Sequence, residues 1–352
     1  MSESPNVTGF NPVGGRYQTP VSALTRTFCW AAVSLTLMFI VNNYLIFWQD
    51  WPGFMALVYH LGIFGPGSLK QPLDTEAQLF GWIQAASYFA CIAGSALFTN
   101  RTPDRPLRRD SEAMVSIAAY IVRAAFWAVI LVGLVDMMIS FLRVEGLLPA
   151  VFGGDLATAL GRSQFRGSYV HVPHVLLGAL IACFTRSLGF SWLALLVVVA
   201  ELGIVLSRFI FSYEQAFQGD LVRFWYGALF LFASAYTLYE DGHVRVDVFY
   251  AALSTRMKGL INIWGSLLLG MSLCVTVMTI GMWSKSASIN SPLLSFEVSQ
   301  SGFGMYVKYL MASFLGIFAV TMMIQFASYI LESLADYRDE PGRREIGGSS
   351  AH

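Results

Sequence analysis

The sequence predicts an all-α, polytopic membrane protein of about eight transmembrane helices with both termini in the cytoplasm. Three observations predict it. Of 352 residues, 56% are hydrophobic and only 12% are charged, whereas a soluble domain carries about a quarter charged residues. Eight apolar runs approach the ~20 residues that a bilayer crossing requires. The basic residues are distributed unevenly between the alternate loops that such crossings would create. Formal net charge is zero, so charge gives no footprint for nucleic acid and no nucleic-acid partner is expected.

The runs, in order, cover about Thr27–Trp48, Glu76–Phe98, Ala113–Phe141, Val172–Phe184, Ser191–Phe211, Leu221–Tyr239, Leu260–Trp283 and Met305–Leu334. The first follows a polar stretch containing Gly and Pro. It is long and lacks a small-residue cleavage site, so it reads as an uncleaved helix rather than a signal peptide. Between the first two runs lies an outer loop, Gln49 to Thr75. Its apolar stretch Phe54–Phe64 has two readings: dipping back into the membrane or docking on a partner. The fourth run is short for a span. Pro173 suits its first turn, and Ser187 to Gly189 form a tight break after it. If that run only re-entered, the spans would number seven and the N-terminus would cross the membrane.

The charge distribution favours eight. With the N-terminus inside, thirteen Lys and Arg residues fall in inner segments and four in outer loops. Seven spans would leave Arg101, Arg105, Arg108 and Arg109 outside, against the positive-inside bias. Tryptophans agree in part, with Trp30 and Trp192 at inner ends and Trp48, Trp51 and Trp283 at outer ends, like an interfacial belt. Three regions follow. Residues 1–190 hold four helices, 191–337 hold four more, and 338–352 form a polar tail expected to be disordered. No internal repeat relates the halves, so the inverted-repeat signature of a complete carrier is missing.

Between the sixth and seventh runs, Gly242, His243, Val244, Arg245, Val246 and Asp247 follow a helix that stops abruptly at Glu240. Alternation of polar and apolar residues suits a short strand-like segment or one lying on the membrane surface. This block resembles the small membrane subunit of the tripartite ATP-independent periplasmic (TRAP) transporters. That family carries Gly-His-Val-Arg-Val-Asp after a helix, then a short run closing with basic residues, here Arg256 and Lys258. Upstream, Arg208-Phe209-x-Phe211 is similar to the family's Arg-aromatic-x-Phe, and Asp220 stands where the family more often has Glu. The resemblance covers about Trp192 to Tyr337 and says nothing of residues 1–190.

It implies a scaffold subunit of a sodium-driven, binding-protein-dependent importer of an organic acid in the bacterial inner membrane. The implied partners are a large TRAP membrane subunit, which holds the substrate and sodium sites, a periplasmic substrate-binding protein, and the lipid bilayer. Gly242, His243, Arg245 and Asp247 become family-motif and partner-contact residues. They are expected at the cytoplasmic membrane surface, where they would fix the approach of the next helix or of a partner.

Other chemistry finds little support. His60, His171 and His174 all fall on the outer side of this topology, and none lies mid-span as a haem ligand pair would require. His171 and His174 are three apart but lack further metal ligands. No metalloprotease helix and no phosphate loop occurs. Cys29, Cys91, Cys183 and Cys274 sit in apolar runs, as small buried hydrophobes. Neither an enzyme nor a cofactor is expected.

Charges within or at the ends of spans carry more weight, because they are costly there. Arg123, Asp136, Glu201 and Arg208 fit either an ion relay through Glu201 or pairs locking helices together. Two charges of each sign on neighbouring helices favour pairing, and Arg123 with Glu201 is the expected pair. Arg208, Asp220 and Arg223 are expected to form one outer cluster. Two alternative functions stand beside the scaffold: a self-sufficient carrier or channel with Glu201 in its pathway, and a membrane redox subunit using His60, His171 and His174. Transport by the purified chain alone would favour the first alternative, and a haem spectrum the second.

Overall fold

A computed structural model describes residues 19–63, 72–187, 189–240, 250, 252–298 and 303–342. The motif residues Gly242, His243, Arg245 and Asp247 lie outside the described residues. Among the described residues every regular element is helical. Eight helices are long and apolar enough to cross a membrane: α1 Pro20–Trp48, α3 Thr75–Arg101, α4 Leu107–Val144, α7 Ser163–Phe184, α8 Phe190–Phe211, α9 Ala216–Tyr239, α10 Thr255–Met282 and α12 Lys308–Tyr337. Short helices α2 (Phe54–His60), α5 (Leu148–Phe152), α6 (Gly154–Leu160) and α11 (Asn290–Ser295) lie between them. The all-helical, eight-span reading holds.

Local chemistry sets the ends. Thr19 and Ser22 form a capping box at the start of α1, with Pro20 in its first turn. This satisfies otherwise orphaned N–H groups. Asp74 caps α3 through the N–H of Ala77. Ser254 caps α10.

The fourth span differs most from expectation. It begins at Ser163, not Val172, and reaches 22 residues. Residues Gly167–His171 form a π turn. Pro173 follows two residues later and has no N–H for the α-helical bond, and the widened turn before it is the usual accommodation. The N–H of Val172 accordingly donates to the carbonyl of Gly167. The polar sequence Ser163–Arg166 hides this first part of the helix from a reading based on hydropathy.

Two compact units divide the chain. One comprises Met1–Val115, Tyr239–Cys274 and Met323–His352, and the other Ser116–Leu238 and Val275–Met322. In the first, α1 packs along α3 through a polar seam. Ser34 meets Ser95 at 3.3 Å, and the Asn42 amide donates to Ser87 at 3.2 Å. The segment after α1 folds back on α3. Trp51 stacks on Phe80 at 4.4 Å, and Gly53 N–H donates to Gln84 at 2.9 Å.

Also in the first unit, Arg26 and Asp110 are both buried and paired at 2.6 Å, with Arg105 on the other carboxylate oxygen at 2.5 Å. Arg26 also donates to the Thr102 carbonyl and hydroxyl, each at 2.8 Å. Arg108 binds Glu332 and Asp336 of α12 and the carbonyls of Glu340 and Pro341. Three of the arginines that produce the sequence's charge bias are therefore consumed by local carboxylates.

The second unit holds an extensive apolar core. Phe126, Val129 and Val132 of α4 pack with Phe217, Leu221, Trp225 and Phe232 of α9 and Phe314 of α12. Trp225 donates to the Val129 carbonyl at 3.2 Å. Helix α7 approaches α4 so closely that a Cβ at Gly178 would stand 2.5 Å from the Ala128 backbone nitrogen. The contact of small residues and backbone replaces the hydrophobic drive that lipid removes. Cys29 and Cys274 are buried as expected, whereas Cys183 is exposed. It lies on the outward side of α7, where Leu180 and Phe184 are exposed as well.

Candidate functional site

In the second unit, two carboxylates clasp the non-helical segment that leads into α12. Asp136 of α4 accepts from the backbone N–H of Tyr306 at 2.8 Å, and Asp220 of α9 accepts from that of Met305 at 3.0 Å. Arg143 of α4 donates to the carbonyl of Gly304 at 2.7 Å. Non-helical backbone in a membrane needs such partners, because the bilayer core supplies no water. Acidic side chains here act as surrogate helix carbonyls.

Asp136 also anchors a second layer of charge. Its Oδ1 accepts from Arg166 at 2.9 Å and from His171 at 3.0 Å, both on α7. All three side chains are buried. A carboxylate can only accept, so His171 donates through Nε2, while its Nδ1 shares a hydrogen bond with the Tyr309 hydroxyl at 2.7 Å. Arg166 further donates to Ser140 and to the Leu160 carbonyl. Its guanidinium lies 4.0 Å from the centre of the Tyr306 ring, and that of Arg143 lies 4.6 Å from it. Gly167 makes the approach feasible, since a Cβ there would meet the Phe296 ring at 2.3 Å and the Tyr309 hydroxyl at 3.0 Å.

At the turn between α8 and α9 an open cleft of about 340 Å³ is lined by Ile204, Glu214, Gln218, Asp220 and Arg223 among others. Arg223 bonds Asp220 at 3.4 Å, but Arg208 pairs with Glu214 at 3.5 Å. The expected three-residue cluster is thus two separate pairs. Nearby, Tyr213 donates to Glu145 at 2.6 Å. Desolvation, aided by that carboxylate, pushes its hydroxyl up to about 12, so it stays a donor.

The expected Arg123–Glu201 pair does not form. Phe126 meets Phe190 edge-on at 5.0 Å, while Phe141 lies against Phe217 and Ser207 against Gln218. These contacts set α8 alongside α4 with Glu201 about 15–20 Å further along the helix direction than Arg123. Equal depth requires the two helices to start level, but Phe190 at the start of α8 meets Phe126, the twentieth residue of α4. Arg123 is half-buried, its Nε without a hydrogen-bond partner among the described residues, and Glu201 is exposed.

Arg166 and His171 are the partners that the sequence reading missed. Both were placed in an outer loop or interface. A 13-residue span too short to cross, facing an intramembrane Asp136 with no counter-charge, was the available signal. His174 bonds only its own helix, at the Val170 carbonyl. Among the described residues no group of three or more His, Cys, Asp or Glu side chains could hold a metal ion.

Eight helices long and apolar enough to cross a membrane define a multi-pass membrane protein. Comparison with known families is specific. Residues 193–336 match the family "Tripartite ATP-independent periplasmic transporters, DctQ component". This part of the chain is therefore similar to the small membrane subunit of the TRAP transporters. No curated protein and no solved structure matches the chain.

Proposed function

We propose that the chain is the scaffold subunit of a sodium-driven, binding-protein-dependent importer of an organic acid. Its partners are a large membrane subunit and a periplasmic substrate-binding protein, the components with which the DctQ family works. Both termini face the cytoplasm, in keeping with the thirteen-to-four bias of basic residues. The match over residues 193–336 carries this reading.

The disposition of charge supports it. Asp110, Asp136, Arg26 and Arg166 are buried and spent on one another or on neighbouring backbone and side chains. Such pairs fix helices in place, as a stationary support requires. In the motif, Gly242, His243, Arg245 and Asp247 serve assembly, so Arg245→Ala lowers the yield of complex and leaves substrate range unchanged. Proteoliposomes test the reading. The chain alone gives no sodium-driven uptake of organic acid, and uptake appears when the large subunit and the binding protein are added. Uptake by the chain alone would overturn it.

A further inference from the structure

We propose that the outward stripe of α8 centred on Glu201 is the seat of a transmembrane helix of the large subunit. That helix presents a cationic side chain at the depth of Glu201. This rests on the reading of the chain as a TRAP small subunit.

Helix α8 is the most outward-facing of the eight spans. Leu193 is its only fully buried residue. Val198, Leu202 and Val205, one and two turns apart, are 63%, 54% and 47% exposed. Such a surface alone would suit lipid. Glu201 does not, because it is the twelfth of 22 residues, about 16 Å from the start of the helix and so mid-span.

It is exposed, and among the described residues it has neither ion pair nor hydrogen bond. The carboxylates that the structure buries in spans, Asp110, Asp136 and Asp220, each have a partner in the chain. An unpaired carboxylate facing hydrocarbon is costly, and such residues face a protein neighbour or a cavity. Further along α8 and in the turn after it, Arg208 and Glu214 are already paired with each other. Since no described residue supplies a counter-charge, one is assigned to the partner helix. Arg208 lies seven residues on, two turns along the same stripe, and with Glu214 would supply the polar rim of the contact.

The test uses the full chain co-expressed with the large membrane subunit of its transporter. A photo-reactive benzoylphenylalanine is placed at Val198, at Val205, and as a control at Leu176, which is exposed on α7. The large subunit is expected to cross-link from 198 and 205 and not from 176. Glu201→Leu and Glu201→Gln are each expected to lower co-purified large subunit about tenfold, while leaving the melting temperature of the isolated chain unchanged.

Cross-links only to lipid, or only to a second copy of this chain, would overturn the proposal, as would wild-type co-purification of Glu201→Gln. If the unmodified chain captures the large subunit but cross-links elsewhere, this seat alone is wrong. If the unmodified chain captures no large subunit, the small-subunit reading falls with it.

Discussion

Helices α4 and α8 are both long, apolar and charged in their interiors, yet their carboxylates are treated in opposite ways. Half of the apolar window of α4 is buried, against 6% for α8. Asp110, Asp136 and Arg143 of α4 all find partners within the chain. Glu201 of α8 finds none among the described residues. The difference separates charge that builds the subunit from charge available for joining it to something else. It also changes the standing of the N-terminal region. Residues of α4, upstream of the family match, pack into the same core as α9, which lies within it. The added helices contribute a central pillar of that unit.

The comparison breaks first at Asp136. Asp136→Leu strands Arg166 and His171 and releases the Tyr306 N–H, so stability in detergent should fall by about 3–5 kcal/mol. The double variant Asp136→Leu with Arg166→Met should recover much of that loss. Thermal melting followed by circular dichroism checks both, and a harmless single substitution would show that the cluster does not hold α4 to α7.

Next comes Arg108→Met, which removes bonds to Glu332, Asp336 and two carbonyls. A loss of about 1.5–3 kcal/mol is expected. Faster proteolysis near Glu340 should accompany it, because the carbonyls of Glu340 and Pro341 lose their donor. Gly178→Leu forces a side chain against the Ala128 backbone and should cost about 1–3 kcal/mol by overpacking. The same change at Gly203 of α8, where nothing lies within 4 Å of an added Cβ, should leave the isolated chain unaffected.

The smallest effect sharpens the comparison. In a double-mutant cycle with Arg123→Met and Glu201→Gln, the losses should add to within about 0.5 kcal/mol. A larger coupling would restore the pair that the helix register removes.

Much of this was legible in the sequence, and the rest has identifiable causes. Spans could be counted because bilayer thickness fixes their length. Asp136 stood out because a charge in a span demands an explanation. Its partners did not. Arg166 and His171 lie in the first part of α7, where polar residues and a π turn precede the apolar run, and hydropathy reports neither feature. The clasp on Met305 and Tyr306 was invisible, because it uses backbone N–H groups brought together by tertiary packing. Arg123 and Glu201 were matched by counting from estimated helix ends. The starts are not level, since Phe190 at the start of α8 meets Phe126, well along α4, and that stagger depends on tertiary packing. The assignment of Arg208 to the Asp220 cluster failed similarly, since Glu214 in the intervening turn captures it first.

The central claim is that α4 spends its charge inside the subunit and α8 keeps Glu201 for a partner. Its most direct test compares the melting temperatures of Asp136→Leu and Glu201→Leu in the isolated, detergent-solubilised chain. A large fall is predicted for Asp136→Leu and none for Glu201→Leu. Equal falls, or a larger fall for Glu201→Leu, would contradict it.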